Sequence, residues 1–252
     1  METATLVCAI LAKNEARHIR ECVQSCLFAD AVVVFDTNSN DGTPRLAREA
    51  GARVVEDAPF INFSQARNFA LNHLRADWVL FVDADERVTP ELAAEVRHVI
   101  VQQPQVAGWW IPRYNHIVGH VMRGTGWYPD RQLRLMRRAR AHYDEAREVH
   151  ELAIIDGPEA VLTHHLIHYN YESWQQFHAK QERYTRFAAS TALQAGQRAH
   201  WRHLLTRPGQ EFVRRFITWQ GYKDGLHGLR LSWLMARYEQ KKYWWMLASS
   251  KQ

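Results

Sequence analysis

The chain has 252 residues and a mass of 29.5 kDa, the size of one large domain or a main domain with an appendage; 46 % of its residues are hydrophobic, which excludes a disordered chain. The net charge of +5 is unevenly placed: residues 1 to 100 carry 10 Lys or Arg against 15 Asp or Glu, and residues 101 to 252 carry 22 against 12. Nine of the ten Trp also lie after residue 100, so an acidic part suited to metal or nucleotide chemistry adjoins a basic, aromatic part suited to an anion. Three cysteines without a C-x-x-C spacing exclude a disulfide scaffold, and Cys22 and Cys26, four apart on a helix, read as core. No secretory leader is expected from the first residues, and no run comes near the ~18 apolar residues of a spanning helix. The expected location is therefore the cytoplasm.

In chain order, Leu6 to Leu11 predicts a strand, and Ile19, Val23, Cys26 and Leu27 follow at helical spacing within Ala16 to Phe28. Ala31 to Phe35 is a second strand, closing on Asp36. Thr43 and Pro44 predict the cap and first residue of a helix to Ala50, stopped by Gly51. Arg53 to Glu56 reads as a strand, Ser64 as the cap of a helix to Leu74, and the wholly apolar Trp78 to Val82 as a strand buried on both faces. Thr89-Pro90-Glu91 opens a helix to about Gln102. These alternations predict an open α/β sheet, mostly parallel, with helices on both faces. Ligands of such sheets lie beyond the carboxyl ends of the strands. Lys13-Asn14-Glu15, Asp36 to Asp41 and Asp83-Ala84-Asp85-Glu86 all fall there, so the three clusters should converge on one edge.

After Gly108 come short pieces that read as antiparallel strands: Trp109 to Pro112, His120 to Arg123, Gln132 to Met136, Ala153 to Ile155 and Val161 to His165. From Tyr171 the pattern is helical, broken at Thr206-Arg207-Pro208-Gly209 and resuming from Glu211 to Leu247. The expected organisation is a main domain over residues 1–170, divided at about 105, and a helical extension over 171–252.

A D-x-D triplet is common by chance, and its place at the end of a central strand gives Asp83-Ala84-Asp85 its weight. Carboxylates there can bind a hard divalent cation, which neutralises nucleotide phosphates; a solvated loop that caps the next helix is the plain alternative. Asp36 can accept hydrogen bonds from a ribose or base, or simply form a turn. Arg67 can reach a diphosphate, or be an ordinary surface residue. A haloacid-dehalogenase-type phosphatase does not fit, because Arg87 stands where it needs Thr or Val.

The order Leu-Ala-Lys-Asn-Glu, Asp-x-x-Ser-x-Asp-Gly-Thr, Ala-Arg-Asn and Val-Asp-Ala-Asp-Glu resembles the nucleotide-sugar half of family 2 glycosyltransferases of GT-A fold. Gly126 to Leu135, Val149-His150-Glu151 and His168-Tyr169 resemble a bacterial branch that includes the β-1,4-glucosyltransferases of lipopolysaccharide inner-core assembly. One departure is Asp-Thr-Asn-Ser-Asn-Asp, where that branch more often has Asp-Ser-Gly-Ser-Thr-Asp. The resemblance implies an inverting, metal-dependent transferase that uses Mg²⁺ or Mn²⁺ and moves a hexose from UDP-glucose to a heptose of the inner core or another lipid-linked glycan. It places Asn14, Glu15, Asp36, Arg67 and Asp83 on the nucleotide sugar and Asp83, Asp85 and His168 on the cation. Trp127, Tyr128, Arg131, Arg134 and His150 fall to the acceptor. Inversion needs one base to deprotonate the acceptor hydroxyl, with Glu151 the first choice and Asp130 the second. Plain structural histidines are the alternative for His164, His165 and His168, and a surface pair for His150-Glu151.

Arg131, Arg134, Arg137, Arg138 and Arg140 suit an anionic acceptor. The final stretch, with Arg230, Trp233, Arg237, Lys241 and Trp244 among others, suits the cytoplasmic face of an inner membrane. No nucleic-acid motif is present. Two other classes stand beside this reading. A nucleotidyltransferase normally has a Gly-rich loop after its first strand, where this chain has Ala12-Lys13-Asn14-Glu15; a non-catalytic homologue would use its basic half to hold a polyanion.

Overall fold

The computed structural model describes residues 4–56, 58, 62–145 and 153–249. The first hundred residues alternate as the periodicity predicts: β1 (Leu6–Ala12), α1 (Ile19–Cys26), β2 (Ala31–Asp36), α2 (Thr43–Glu49), β3 (Arg53–Val55), α3 (Phe63–His73), β4 (Trp78–Asp83), β5 (Glu86–Val88) and α4 (Pro90–Gln102). Only β5 is new, a short strand inside the acidic cluster. Then follow β6 (Gly108–Ile117), β7 (His120–Val121), β8 (Asp130–Arg137), β9 (Ala141–Tyr143), β10 (Ala153–Ile155), β11 (Glu159–Val161) and β12 (Leu166–Tyr171), and the helices α5 (Trp174–Gln194), α6 (His203–Val213) and α7 (Gly225–Ser249).

Local chemistry sets the helix starts. Thr89 caps α4 as expected, its hydroxyl accepting from Leu92 N–H at 3.2 Å. Asn62, not Ser64, caps α3, its side chain accepting from Gln65 N–H at 2.9 Å. Gly42, not Thr43, is the cap of α2, because the backbone there is left-handed at φ 85° and the Thr43 hydroxyl is spent on Asp41. Two further expectations fail. Val161 to His165 is not a strand: β11 ends at Val161, and Glu95 accepts hydrogen bonds from the backbone N–H groups of Thr163 and His164. The break at Thr206 to Gly209 lies inside α6, whose interior accommodates Pro208; the helical run is interrupted instead at Arg214–Thr218, a π turn, and Gly221–Asp224, a 3₁₀ turn.

Contacts divide the chain into two compact units, Met1–Arg113 with Arg131–His168 and Tyr114–Asp130 with Tyr169–Gln252. Residues 114–130 thus belong with the C-terminal helices, although the sequence placed them with the second half of the main domain. In the first unit the strands run β3-β2-β1-β4-β8-β6, parallel from β3 to β4 and antiparallel from β4 to β8, with β11 parallel to β6. Helices cover both faces because both are apolar. Leu6, Cys8, Ile10, Trp78, Leu80 and Val82 enter one core with α1 and α4. Their neighbours Val7, Ala9, Val79 and Phe81 enter another with α3. This alternation is the two-residue period of a strand with no wet face. Cys8, Cys22 and Cys26 are buried free thiols in the first core. The second unit has its own core around Ile117, Met122, Tyr171, Phe177, Leu231 and Leu234.

Candidate active site

The parallel strands deliver the acidic residues to one level. Asp36 pairs in register with Ala12 of β1, and Asp83 with Leu11. The two carboxylates therefore end strands on either side of β1, about 10 Å apart at two strand spacings.

The loops after β1 and β2 are tied to each other. Asn14, left-handed at φ 56°, donates its N–H to Ser39 Oγ at 2.8 Å and accepts from Asn40 N–H at 2.9 Å. Glu15 N–H reaches Thr43 Oγ1 at 2.8 Å, and Asp41 accepts from Ala16 N–H at 3.0 Å and from Thr43. Burial pushes the Asp41 carboxyl up, but these donors outweigh it and hold the group below the usual range. Asn14, through its N–H and its side-chain Oδ1, and Glu15, through its N–H, thus shape the rim of the site. Inside the rim, Asp36 is 2 % exposed; its Oδ2 accepts from Ser39 N–H at 2.9 Å, while its Oδ1 is buried with no hydrogen-bond partner among the described residues. A buried carboxylate oxygen without a donor is costly, and a ligand that brings a donor relieves it.

The end of β4 is arranged otherwise. Arg134 of β8 forks onto Asp83 and also bonds Glu86 at 3.0 Å, and Arg67 of α3 reaches Asp83 at 3.2 Å. Glu86 is fully buried, accepts from Arg113 at 2.7 Å and takes the Asp83 N–H at 2.9 Å. Burial raises the Asp83 carboxyl, but the charges of Arg134 and Arg67 prevail and hold it well below the usual carboxylate range. Burial in turn lowers Arg134, while Asp83 and Glu86 raise it and keep it charged. Arg87 fixes the turn between the two aspartates by donating to Ala84 O at 3.0 Å and Glu86 O at 2.8 Å.

Register explains His168. β12 pairs antiparallel with β5, and His168 lies opposite Glu86. Its Nε2 is 3.4 Å from Asp85 Oδ2, a separation at which one cation can take both as adjacent ligands. Asp83 fits a cation less well, since both its oxygens lie on guanidinium groups. Among the described residues no cluster of three or more His, Cys, Asp or Glu could hold a metal. Asp85 and His168 nevertheless fit a cation whose other ligands come from a bound diphosphate and water, the usual manner for Mg²⁺.

The remaining predicted residues are scattered. Arg134 is buried in the Asp83 network. Arg131 is exposed on β8, and Arg137 donates to Pro104 O at 2.7 Å and lies over Trp78. His164 is held by Glu95 at 3.0 Å. In the second unit, Asp130 accepts at 2.9 Å from Asn115, which also donates to Trp127 O and accepts from Asn170; Tyr128 stacks on Tyr114. His150 and Glu151 lie outside the described residues. Glu86, Arg113 and Asn115 carry the networks without having been singled out in the sequence. The first belongs to the acidic cluster, and the other two have no local signal.

The tied loops after β1 and β2, the buried Asp36 acceptor and the Asp85–His168 pair thus gather at the strand ends, where α/β sheets place their ligands. The family model for glycosyl transferase family 2 matches residues 8–151, more than half of the chain, and the protein belongs to that family; its fold is the α/β GT-A type with C-terminal helices. The chain is 25 % identical over 225 residues to the lipopolysaccharide core biosynthesis glycosyltransferase LpsC of Rhizobium meliloti, covering 87 % of this chain and 83 % of that protein. It is 36 % identical over 97 residues to an uncharacterized glycosyltransferase of Rickettsia bellii, covering 38 % of this chain and 33 % of that protein. Among solved structures, glucosyl-3-phosphoglycerate synthase of Mycobacterium tuberculosis in complex with Mn²⁺, uridine diphosphate and glucosyl-3-phosphoglycerate aligns with TM-score 0.39 and 21 % identity, covering 45 % of this chain and 44 % of that chain.

Proposed function

We propose that this glycosyltransferase inverts configuration while moving a hexose, glucose by its family resemblance, from UDP-glucose to an acceptor of the lipopolysaccharide-core class. The relative LpsC and the basic residues after position 100 support the acceptor class. The observation that supports the donor half is the buried Asp36 Oδ1, without a donor among the described residues, ending the strand on the other side of β1 from the Asp83–Asp85 turn. On this reading Asp36 accepts from the nucleoside, while Asn14 and Glu15 hold the loop around it. Asp83, fixed by Arg67 and Arg134, sets the turn from which Asp85 projects.

Asp85 and His168 would hold Mg²⁺ or Mn²⁺, which supplies charge neutralisation for the leaving diphosphate. A base then takes the acceptor hydroxyl proton as that oxygen attacks the anomeric carbon; Glu151 is the first choice and Asp130 the second. The acceptor-side candidates are Trp127, Tyr128, Arg131 and His150. We assign the working place to the cytoplasmic face of a membrane, where lipid-linked acceptors are presented.

The test is UDP release with a panel of nucleotide sugars and a lipopolysaccharide-core acceptor. UDP-glucose should lead the panel, and Glu151→Gln should keep donor binding while transfer falls by about 10²–10⁴-fold. A fully active Glu151→Gln beside an inactive Asp130→Asn would move the base to Asp130. Nucleotidyl transfer in place of sugar transfer, or polyanion binding with no turnover, would replace the reading altogether.

A further inference from the structure

Helix α7 packs on α5 and α6 and buries Gly228, Leu231, Ser232, Leu234, Ala236 and Met246. Another of its faces is bare. At 3.6 residues per turn, Leu226, Arg230, Trp233, Arg237, Lys241 and Trp244 fall within an arc of about 80° and extend over about 27 Å. Leu226, Trp233 and Trp244 are 84 %, 51 % and 52 % exposed, so large apolar side chains alternate with basic ones along one open stripe. A cleft of about 810 Å³ opens on it, lined by the last five of these residues with His178 of α5 and Leu204 of α6 among its walls.

The cations in this cleft are set for an anion. The Arg230 guanidinium lies 3.7 Å from the centre of the Trp174 ring, and that of Arg237 lies 5.1 Å from Trp233. Stacking occupies the face of a guanidinium and leaves its in-plane N–H donors available for two-pronged contact with phosphate. Neither arginine is ion-paired to a carboxylate among the described residues, whereas Lys241 is held by Glu182 at 2.5 Å. Residues 171 to 252 carry 14 Lys or Arg against 5 Asp or Glu, a field that draws an anionic surface. Exposed Leu and Trp beside the arginines suit the headgroup and acyl boundary of a bilayer better than a nucleic acid. No helix among the described residues is long and apolar enough to cross a membrane, and the mixed stripe is that of a surface-lying segment.

We propose that the cleft between α5, α6 and α7 binds the phosphate-bearing headgroup of an anionic membrane lipid, with Arg230 and Arg237 on the phosphate and Trp233 and Trp244 in the interface. This deepens the membrane side of the proposed function, yet it rests on the second unit alone and can fail while donor binding stands.

The experiment is flotation of the full chain with phosphatidylcholine vesicles, with and without phosphatidylglycerol, beside calorimetry with UDP as a check of the first unit. Capture should require phosphatidylglycerol, and Arg230→Ala with Arg237→Ala should weaken it about 30-fold if each arginine contributes as basic residues at anionic surfaces do. Arg53→Ala with Arg75→Ala removes the same charge from the first unit and should leave capture intact. Equal capture by neutral vesicles, equal losses from both double variants, or inorganic phosphate binding at the arginines without vesicle capture would each overturn the proposal. Should the alanine pair also lose UDP binding, Arg230→Lys with Arg237→Lys decides: it keeps the charge and loses the planar fork, so weakened capture supports the site and full capture refutes it.

Discussion

Asp36 and Asp83 end the two strands that flank β1, and they meet opposite surroundings. Asp36 is 2 % exposed, with one oxygen on Ser39 N–H and, among the described residues, no donor on the other and no ion pair. The Asp83 side chain is 36 % exposed and carries two guanidinium groups. The same residue at the same kind of strand end thus provides an open acceptor in one place and a neutralised anchor in the other. The lesson is that the two aspartates of the D-x-D triplet meet different partners: Asp83 lies on two guanidinium groups, and Asp85 lies 3.4 Å from His168.

The contrast can be broken by substitution. Asp85→Ala should have the largest effect, lowering sugar transfer by about 10³-fold, on the scale of a lost electrostatic contact to the reacting group, with little change in unfolding midpoint; UDP release measures the first and urea titration the second. Arg134→Ala should come next. It leaves Glu86 buried with one guanidinium fewer and should cost about 3 kcal/mol of stability, read from urea unfolding. Asp36→Ala should be mildest, weakening UDP binding about tenfold and costing about 1 kcal/mol of stability, because among the described residues its Oδ2 has the Ser39 N–H to lose and its Oδ1 has none.

Acid sharpens the same comparison. A carboxylate whose folded pKa lies below its unfolded value contributes fully above the unfolded value and loses that contribution as pH falls through the folded one. Asp83 is such a group. The stability gap between the native chain and Arg134→Ala should therefore hold from pH 7 to about pH 5 and begin to close only below the ordinary Asp range. A gap that closes already between pH 7 and pH 5 would mean that Asp83 is not held ionised by Arg134.

Much of the first unit was legible because its strands bury both faces, and the runs Leu6 to Leu11 and Trp78 to Val82 admit few other readings. The acidic strand ends were legible for the same reason: parallel topology places them together. The Asp83 network was not, since the antiparallel register of β4 with β8, Leu80 opposite Leu135, is what brings Arg134 to Asp83, and no local pattern encodes that pairing. The Asn62 cap lost to Ser64 in the reading because both residues are good caps two positions apart. Pro208 was misread as a break because an interior proline removes one helix bond and disfavours the turn before it, yet α6 continues through it. His168 was placed on the cation by resemblance; its register opposite Glu86, which sets it 3.4 Å from Asp85 Oδ2, was not legible from any local pattern.

The central claim is that the strand ends form a nucleotide-sugar site assisted by a cation on Asp85 and His168. Calorimetry of UDP binding with and without Mn²⁺, on the native chain and on Asp85→Asn, tests it most directly. The account predicts tight binding that depends on Mn²⁺ in the native chain and is lost in the variant. UDP binding indifferent to Mn²⁺, or unaffected by Asp85→Asn, would contradict it.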